Sequence, residues 1–352
     1  MNSQLQFVES LNCEDISNQL RESLPTIEKV TLSSEAQYYG ALYEIEELLG
    51  LSSRSIPRAT WRHGASLEDS YDFPEEIISK DSQGIVHLVH SKDQQVFLRE
   101  AGYRHAFAIG APYLYAKSIL TRRVIGSTLV MLPHSTKFSN HGANEAQLIK
   151  ELDRSVPQSR KIWYCVSRTC VDKGCWIDLL SEKKRNIIVG AEAHDRNSLR
   201  RMKFLFNLFE SVVSSNLGSH LSYASYSGAK VRALKSYLWD RCFHGASQEL
   251  SQEPFYQKYP WVLEKRMRQS RESLLKFWGK CSNHKEKEIY SSRKLGVNFL
   301  RSPRYVGDML GCFELFDLKA RFDRYLRLGA FEFERKLRKH TTTKPKAFCG
   351  KG

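Results

Sequence analysis

The stretch 212–231, Val-Val-Ser-Ser-Asn-Leu-Gly-Ser-His-Leu-Ser-Tyr-Ala-Ser-Tyr-Ser-Gly-Ala-Lys-Val, holds the residues of this chain best suited to chemistry. It reads as a strand, a small polar turn, a helix, a glycine and a second strand. A strand that ends in Ser-Ser-Asn-Leu-Gly-Ser and opens a helix leaves the first N–H groups of that helix uncapped. It aims them, with the positive end of the helix dipole, at the turn. An anion of phosphate size is the usual occupant of such a place. Gly218 lets the backbone approach a ligand closely, Ser215, Ser219 and Ser222 add hydroxyl groups without bulk, and Asn216 and His220 complete the polar set. An ordinary strand-to-helix turn of an α/β protein has the same outline, and the sequence leaves both readings open.

The elements that must position this turn follow from periodicity. Short apolar runs predict strands over 85–89, 106–110, 127–132, 161–166 and 186–190, and amphipathic spacing predicts helices over 92–101, 144–152, 176–182 and 198–210. Strands alternating with helices of this length predict a parallel sheet covered on both faces. Upstream, the spacing predicts a strand over 27–32 and a helix over 35–49 that stops at Gly50. His134, Ser135 and Asn144 follow the 127–132 strand, at the C-terminal edge where ligands of open α/β sheets collect. His141-Gly142-Ala143-Asn144-Glu145 also reads as a helix N-cap. Beyond Lys230 the alternation stops, and helices rich in aromatic and basic residues are expected over 262–278 and 313–338, with a basic tail after them. Arg122 and Arg123 read as an exposed linker pair.

Composition bounds the class. A chain of 352 residues with 41% hydrophobic and 11% aromatic residues has the material for two packed units. No stretch approaches the ~20 uninterrupted apolar residues of a membrane span, and Met1 to Phe7 lacks the pattern of a signal peptide. The eight cysteines are scattered and read as reduced thiols of a cytoplasmic protein. Cys165, Cys170 and Cys175 lack the short spacing and the fourth ligand of a structural zinc site, so no metal is expected. Charge is uneven. Residues 1–100 carry 8 basic and 17 acidic side chains, whereas residues 236–352 carry 25 and 13, within a total of +15. An acidic first hundred residues argues against a chain-wide nucleic-acid coat and fits a two-part protein that handles an anionic donor or an anionic membrane face.

Three places carry a resemblance to a known architecture. His87-Leu88-Val89-His90-Ser91 through Gly102-Tyr103 to Ile109-Gly110-Ala111-Pro112 resembles the end of the first lobe of GT-B glycosyltransferases. Leu129 to Ser135 resembles the first strand and loop of their donor lobe, and Ser214 to His220 with Ser227 to Val231 resembles the donor-phosphate turn and the helix, glycine and strand after it. The finer likeness is to bacterial enzymes of capsule, lipopolysaccharide and teichoic-acid assembly, whose first lobe presents a His-Gly pair to the acceptor much as Trp61-Arg62-His63-Gly64 does.

The resemblance implies an α/β fold of two Rossmann-like lobes with parallel sheets: a short acceptor-side lobe over 1–115, a nucleotide-binding donor lobe over 116–235, and a basic helical region over 236–352 that packs on or bridges them. It implies a glycosyltransferase that moves a sugar from a nucleotide-activated donor to a glycan or lipid-linked acceptor, with no metal and no cofactor beyond the nucleotide-sugar substrate. His63 is then the base that takes the acceptor proton, beside Trp61 and Gly64, and an imidazole near neutral pKa suits that work. A turn histidine without chemistry is the other reading. His134, Ser135, Asn144, Ser215, Asn216, Gly218, Ser219, His220 and Ser222 are the implied donor contacts. The turn departs from the family by lacking an acidic residue just inside its helix, where His220 and Ser222 stand, which leaves the donor open. A cytoplasmic enzyme is expected, peripheral on the inner membrane face where anionic lipid attracts its basic residues. Nucleic acid is not the expected partner. The alternatives are a non-catalytic nucleic-acid-binding α/β protein, or a GT-B relative acting as nucleotide-sugar epimerase, hydrolase or polyol-phosphate transferase.

Overall fold

The computed structural model describes residues 7–8, 13–51, 57, 59–64, 70–78, 85–135, 144–156, 161–214, 218–234, 251, 254–273, 276, 278 and 283–313. In chain order β1 (Phe7–Val8) and α1 (Glu14–Ser23) lead to a 3-10 segment (Glu35–Gly40) and α2 (Ala41–Leu48). Strands β2 (Ala59–Trp61), β3 (Val86–Val89) and β4 (Ala106–Ala108), with α3 (Lys92–Glu100) between the last two, form a three-stranded parallel sheet in the order β2-β3-β4. The caps of α3 are those its residues dictate: the Ser91 hydroxyl accepts from the Gln94 N–H, and Gly102 takes a left-handed φ of 95° beyond its end.

The next run alternates without interruption: β5 (Val124–Met131), α4 (Glu145–Ser155), β6 (Lys161–Val166), α5 (Arg168–Asp172), α6 (Ile177–Glu182), β7 (Asn186–Val189), α7 (Ser198–Leu208), β8 (Phe209–Ser214), α8 (Ser219–Tyr226) and β9 (Lys230–Ala233). Its strands join β1 in a six-stranded sheet ordered β1-β7-β6-β5-β8-β9, parallel except for β1, which pairs antiparallel with β7. The two-residue period of a strand sends Leu129, Trp163, Ile188 and Val212 into one apolar cluster and Val130, Tyr164, Ile187 and Val213 into the other, so the sheet is covered on both faces. The first cluster also takes in Ala59, Trp61, Leu88 and Ile109 of the three-stranded sheet. One continuous core therefore fixes the two sheets to each other.

The N-terminal residues join the six-stranded sheet through β1, which pairs with β7, while Ile16 and Leu20 of α1 and Leu42 and Ile45 of α2 are buried in the cluster the two sheets share. The expected 27–32 strand is a single bridge from Lys29 to Asp195. The buried Arg201 guanidinium, which donates to the Val189 carbonyl at 2.8 and 2.7 Å and to the Pro25 carbonyl, anchors this segment to the end of β7. The expected 35–49 helix breaks at Tyr38 and Tyr39 and restarts after Gly40, whose φ of 86° and contact with the Arg196 carbonyl leave no room for a side chain. The buried Glu44 carboxylate then pairs with Arg200 of α7 at 2.8 and 3.1 Å and accepts from the Lys117 N–H at 3.0 Å.

After β9 come α9 (Pro254–Lys258), α10 (Pro260–Ser273), α11 (His284–Leu295) and α12 (Pro303–Leu310). The expected 313–338 helix and the basic tail lie outside the described residues. The ring of Tyr259 stacks on Phe73 at 4.4 Å, and Lys265 pairs with Asp72, so α9 and α10 cover the 70–76 loop near the three-stranded sheet. Helix α11 packs along α8, where buried Lys287 donates to the Val231 carbonyl at 2.9 Å, and its last residue, Leu295, accepts from the Ala111 N–H at 2.8 Å. It thus touches elements of both sheets. Arg123 is likewise not an exposed linker residue: its guanidinium donates to the carbonyls of Phe209 and Ser227 at 2.7 and 2.6 Å. Among the described residues no helix is long and apolar enough to cross a membrane.

Candidate functional site

The exit of β2 meets α8, and the end of β3 backs that exit. Strand β2 runs out into Arg62, His63 and Gly64, and the Tyr223 hydroxyl of α8 donates to the His63 carbonyl at 2.6 Å. A Cβ built on Gly64 would stand 3.0 Å from the Ser219 hydroxyl oxygen, so the His63–Gly64 strand exit lies directly against the first residue of the helix. His63 and Ser219, 156 positions apart, are brought together by this contact of two sheets.

The imidazole of His63 is half-buried and lies edge-on to Tyr38 at 5.4 Å and tilted on Tyr39 at 5.1 Å. Tyr39 holds a left-handed φ of 57°, unusual for an aromatic residue, and its N–H donates to the Ala193 carbonyl at 2.9 Å. Enclosure by these rings, and then the positive charge of Arg62, lower the His63 pKa from 6.5 to about 4. That replaces the near-neutral value expected of an open cleft edge. Behind it His90, fully buried at the end of β3, sits at about 3 for the same first reason, desolvation. Both imidazoles are neutral at physiological pH, and neither ring nitrogen of His63 takes a hydrogen bond from the described residues. The site therefore offers an uncharged proton acceptor next to the start of a helix.

Around α8 the polar groups divide. Gly218 occupies the N-cap with extended backbone and no side-chain cap, which leaves the first N–H groups of the helix unclaimed by a capping side chain. His220 turns its Nε2 to the Ser214 hydroxyl at 2.7 Å, closing the end of β8 against the first turn of the helix. Ser222 is fully buried, and its hydroxyl has no hydrogen-bond partner among the described residues. Ser215 and Asn216 lie outside the described residues.

At the end of β5, His134 is exposed, while Ser135 is buried, its N–H on the Cys170 sulfur at 3.0 Å and its hydroxyl 3.9 Å from the Cys175 sulfur. Asn144 caps α4 by accepting from the Gln147 N–H at 3.0 Å, the second of the two roles its sequence context allows. Trp61 is a core residue; its indole N–H donates to the Gly110 carbonyl at 3.1 Å and its ring meets Tyr115 edge-on. The structure thus brings His63 and Gly64 against Ser219, with Gly218 and His220 beside it, and sets Trp61, Ser135 and Asn144 in contacts of their own.

Sequence reasoning missed Tyr223, Tyr113, His90, Tyr38 and Tyr39. Tyr223 stacks on Tyr113 at 4.1 Å with an interplanar angle of 6°, and the Tyr113 hydroxyl pairs with the Ser227 hydroxyl at 2.6 Å. Aromatic residues at such spacing read as core, and burial does raise both phenol pKa values. The available signal was the polar tip of a tyrosine, which seeks a partner when buried.

No family model matches the chain, and no curated protein matches it. Among solved structures it is similar to TarM of S. aureus, and the likeness is distant. A TarM mutant solved with fondaparinux, alpha-GlcNAc-glycerol and UDP shares 12% identity over 78% of this chain and 54% of that one, with a TM-score of 0.32. A second TarM structure gives 11% identity, 78% and 53% coverage and the same TM-score of 0.32. The chain spans about half the length of these structures.

Proposed function

We propose that this chain is a GT-B-type glycosyltransferase that moves a sugar from a nucleotide-activated donor to a glycan or lipid-linked acceptor of a surface polysaccharide. The observation that carries the reading is the contact of the His63–Gly64 strand exit with Ser219 at the start of α8. The three-stranded sheet and its loops form the acceptor side, and the six-stranded sheet, with the N-terminal segment attached, forms the donor lobe. Helices α9 to α12 brace the lobes, and the basic charge of the C-terminal third favours the anionic membrane face where lipid-linked acceptors are met.

Such a reaction asks little of the protein beyond a base and a place for the departing nucleotide phosphate. The N–H groups and dipole of α8 supply the latter without a metal. His63 takes the proton of the acceptor hydroxyl as the oxygen attacks the sugar, while the bond to the phosphate breaks. At a pKa of about 4 the free imidazole is a weak base. A phosphate seated at α8 favours the imidazolium form and raises that pKa, so donor binding prepares the base for its work.

A melting-temperature screen against UDP, GDP, CDP and CMP tests the reading, followed by transfer from the matching nucleotide-sugar. One nucleotide is expected to stabilise the protein. Gly218→Val should abolish the shift, because a Cβ there would stand 2.8 Å from the His220 ring, and His63→Ala should abolish transfer while leaving the shift. Absence of any shift, with steeply salt-dependent binding to random RNA instead, would sink the proposal in favour of a nucleic-acid-binding protein.

A further inference from the structure

We infer that His90 and Tyr223 form a two-sided clamp on the backbone of His63, so that the seating of α8 sets where the base stands. The inference rests on the roles of His63 and α8 proposed above. Two consecutive carbonyls carry the geometry: that of Arg62 accepts from His90 Nε2 at 2.7 Å, and that of His63 accepts from the Tyr223 hydroxyl at 2.6 Å. One donor belongs to the end of β3 and the other to α8, so residue 63 is held from both sheets.

Each half of the clamp is itself fixed. The His90 N–H donates to the Gln94 side chain at 2.9 Å, and Gly296 packs against the His90 carbonyl with no room for a Cβ. Pairing with a carbonyl assigns the ring proton to Nε2, which leaves Nδ1 buried without a partner among the described residues. An apolar residue would avoid that cost. What histidine adds here is the Nε2–H donor. On the other side Tyr223 lies flat on Tyr113, whose hydroxyl is tied to Ser227 just beyond the end of α8. Tyr223 therefore moves with its helix, and a ligand that shifts the helix start shifts the His63 carbonyl. Both residues act through His63 and are positioning residues.

The test uses the full chain with 15N-labelled histidine, the His63 signals being assigned by their loss in His63→Gln. In the wild type these signals should titrate near pH 4 and respond to whichever of UDP, GDP, CDP or CMP raises the melting temperature. Tyr223→Phe keeps the ring stack and loses the hydrogen bond. It is expected to move the His63 midpoint upward toward 6.5, to keep nucleotide affinity within about threefold, and to lower kcat about tenfold with little change in donor KM. The His63 response to nucleotide should shrink in this variant to the through-space effect of the phosphate charge. His90→Leu should behave likewise, and His90→Gln, whose amide N–H replaces the Nε2 donor, should restore most of the loss. Unchanged His63 titration in both Tyr223→Phe and His90→Leu overturns the clamp. If none of the four nucleotides binds, the functional reading fails, and the ligand-free titration still decides the clamp.

Discussion

Lowering the pH from 7 to 5 probes the enclosure of His63 and His90 through the stability of the whole fold. In the unfolded chain each imidazole titrates at its ordinary 6.5, and in the folded protein at about 4 and about 3. Because the folded values are depressed, the unfolded state takes up the protons first. The stabilising contribution is therefore complete above 6.5 and drains away as the pH falls toward the folded values. At pH 5 the unfolded state gains about 2 kcal/mol per histidine, and the result hardly depends on the folded values so long as both lie below 5. His63 keeps part of its ring at the surface, and solvent screening trims its share, so the pair is worth about 3 to 4 kcal/mol. Burial raises the carboxyl pKa of Glu44 and of Asp195, which works in the opposite sense, so the comparison is made between variants. Urea midpoints at the two pH values for the wild type, His90→Gln and His63→Gln provide the assay. Each substitution should remove its own part of the acid loss, about 2 kcal/mol for His90. If His90→Gln loses as much stability between pH 7 and pH 5 as the wild type does, the burial argument is wrong.

Two further outcomes follow from the packing. Gly296→Ala puts a Cβ onto the His90 carbonyl at a φ of 72°, and should cost at least about 3 kcal/mol, read as a fall in the urea midpoint and in soluble yield. Glu44→Gln removes the buried charge facing Arg200. Because Glu47 still faces the guanidinium, the loss should be about 2 kcal/mol, below the ~3–5 of an isolated buried pair, and insensitive to added salt in thermal melts.

Much of the fold was legible because it is local. Short apolar runs at 127–132, 161–166 and 186–190 marked strands of a doubly covered sheet, and Ser91 and Asn144 through their side chains and Gly102 through its left-handed backbone marked helix ends locally. The break at 38–40 was not legible, since the apolar spacing there is that of a continuous helix and the kink is imposed by the Arg196 carbonyl, 156 positions away. The same holds for β1, whose partner β7 lies far along the chain.

Sequence alone determined the chemistry on offer: a strand-to-helix turn with uncapped N–H groups at 218–219 and a histidine-glycine pair at 63–64. Tertiary structure alone decided that these lie against each other, that His63 is an enclosed neutral imidazole, and that Tyr223 ties it to α8 across 160 positions. The physical reason is one of range. Backbone propensity and apolar period are written by neighbours along the chain, whereas a pKa and a hydrogen bond between two sheets depend on which distant surfaces the common core presses together.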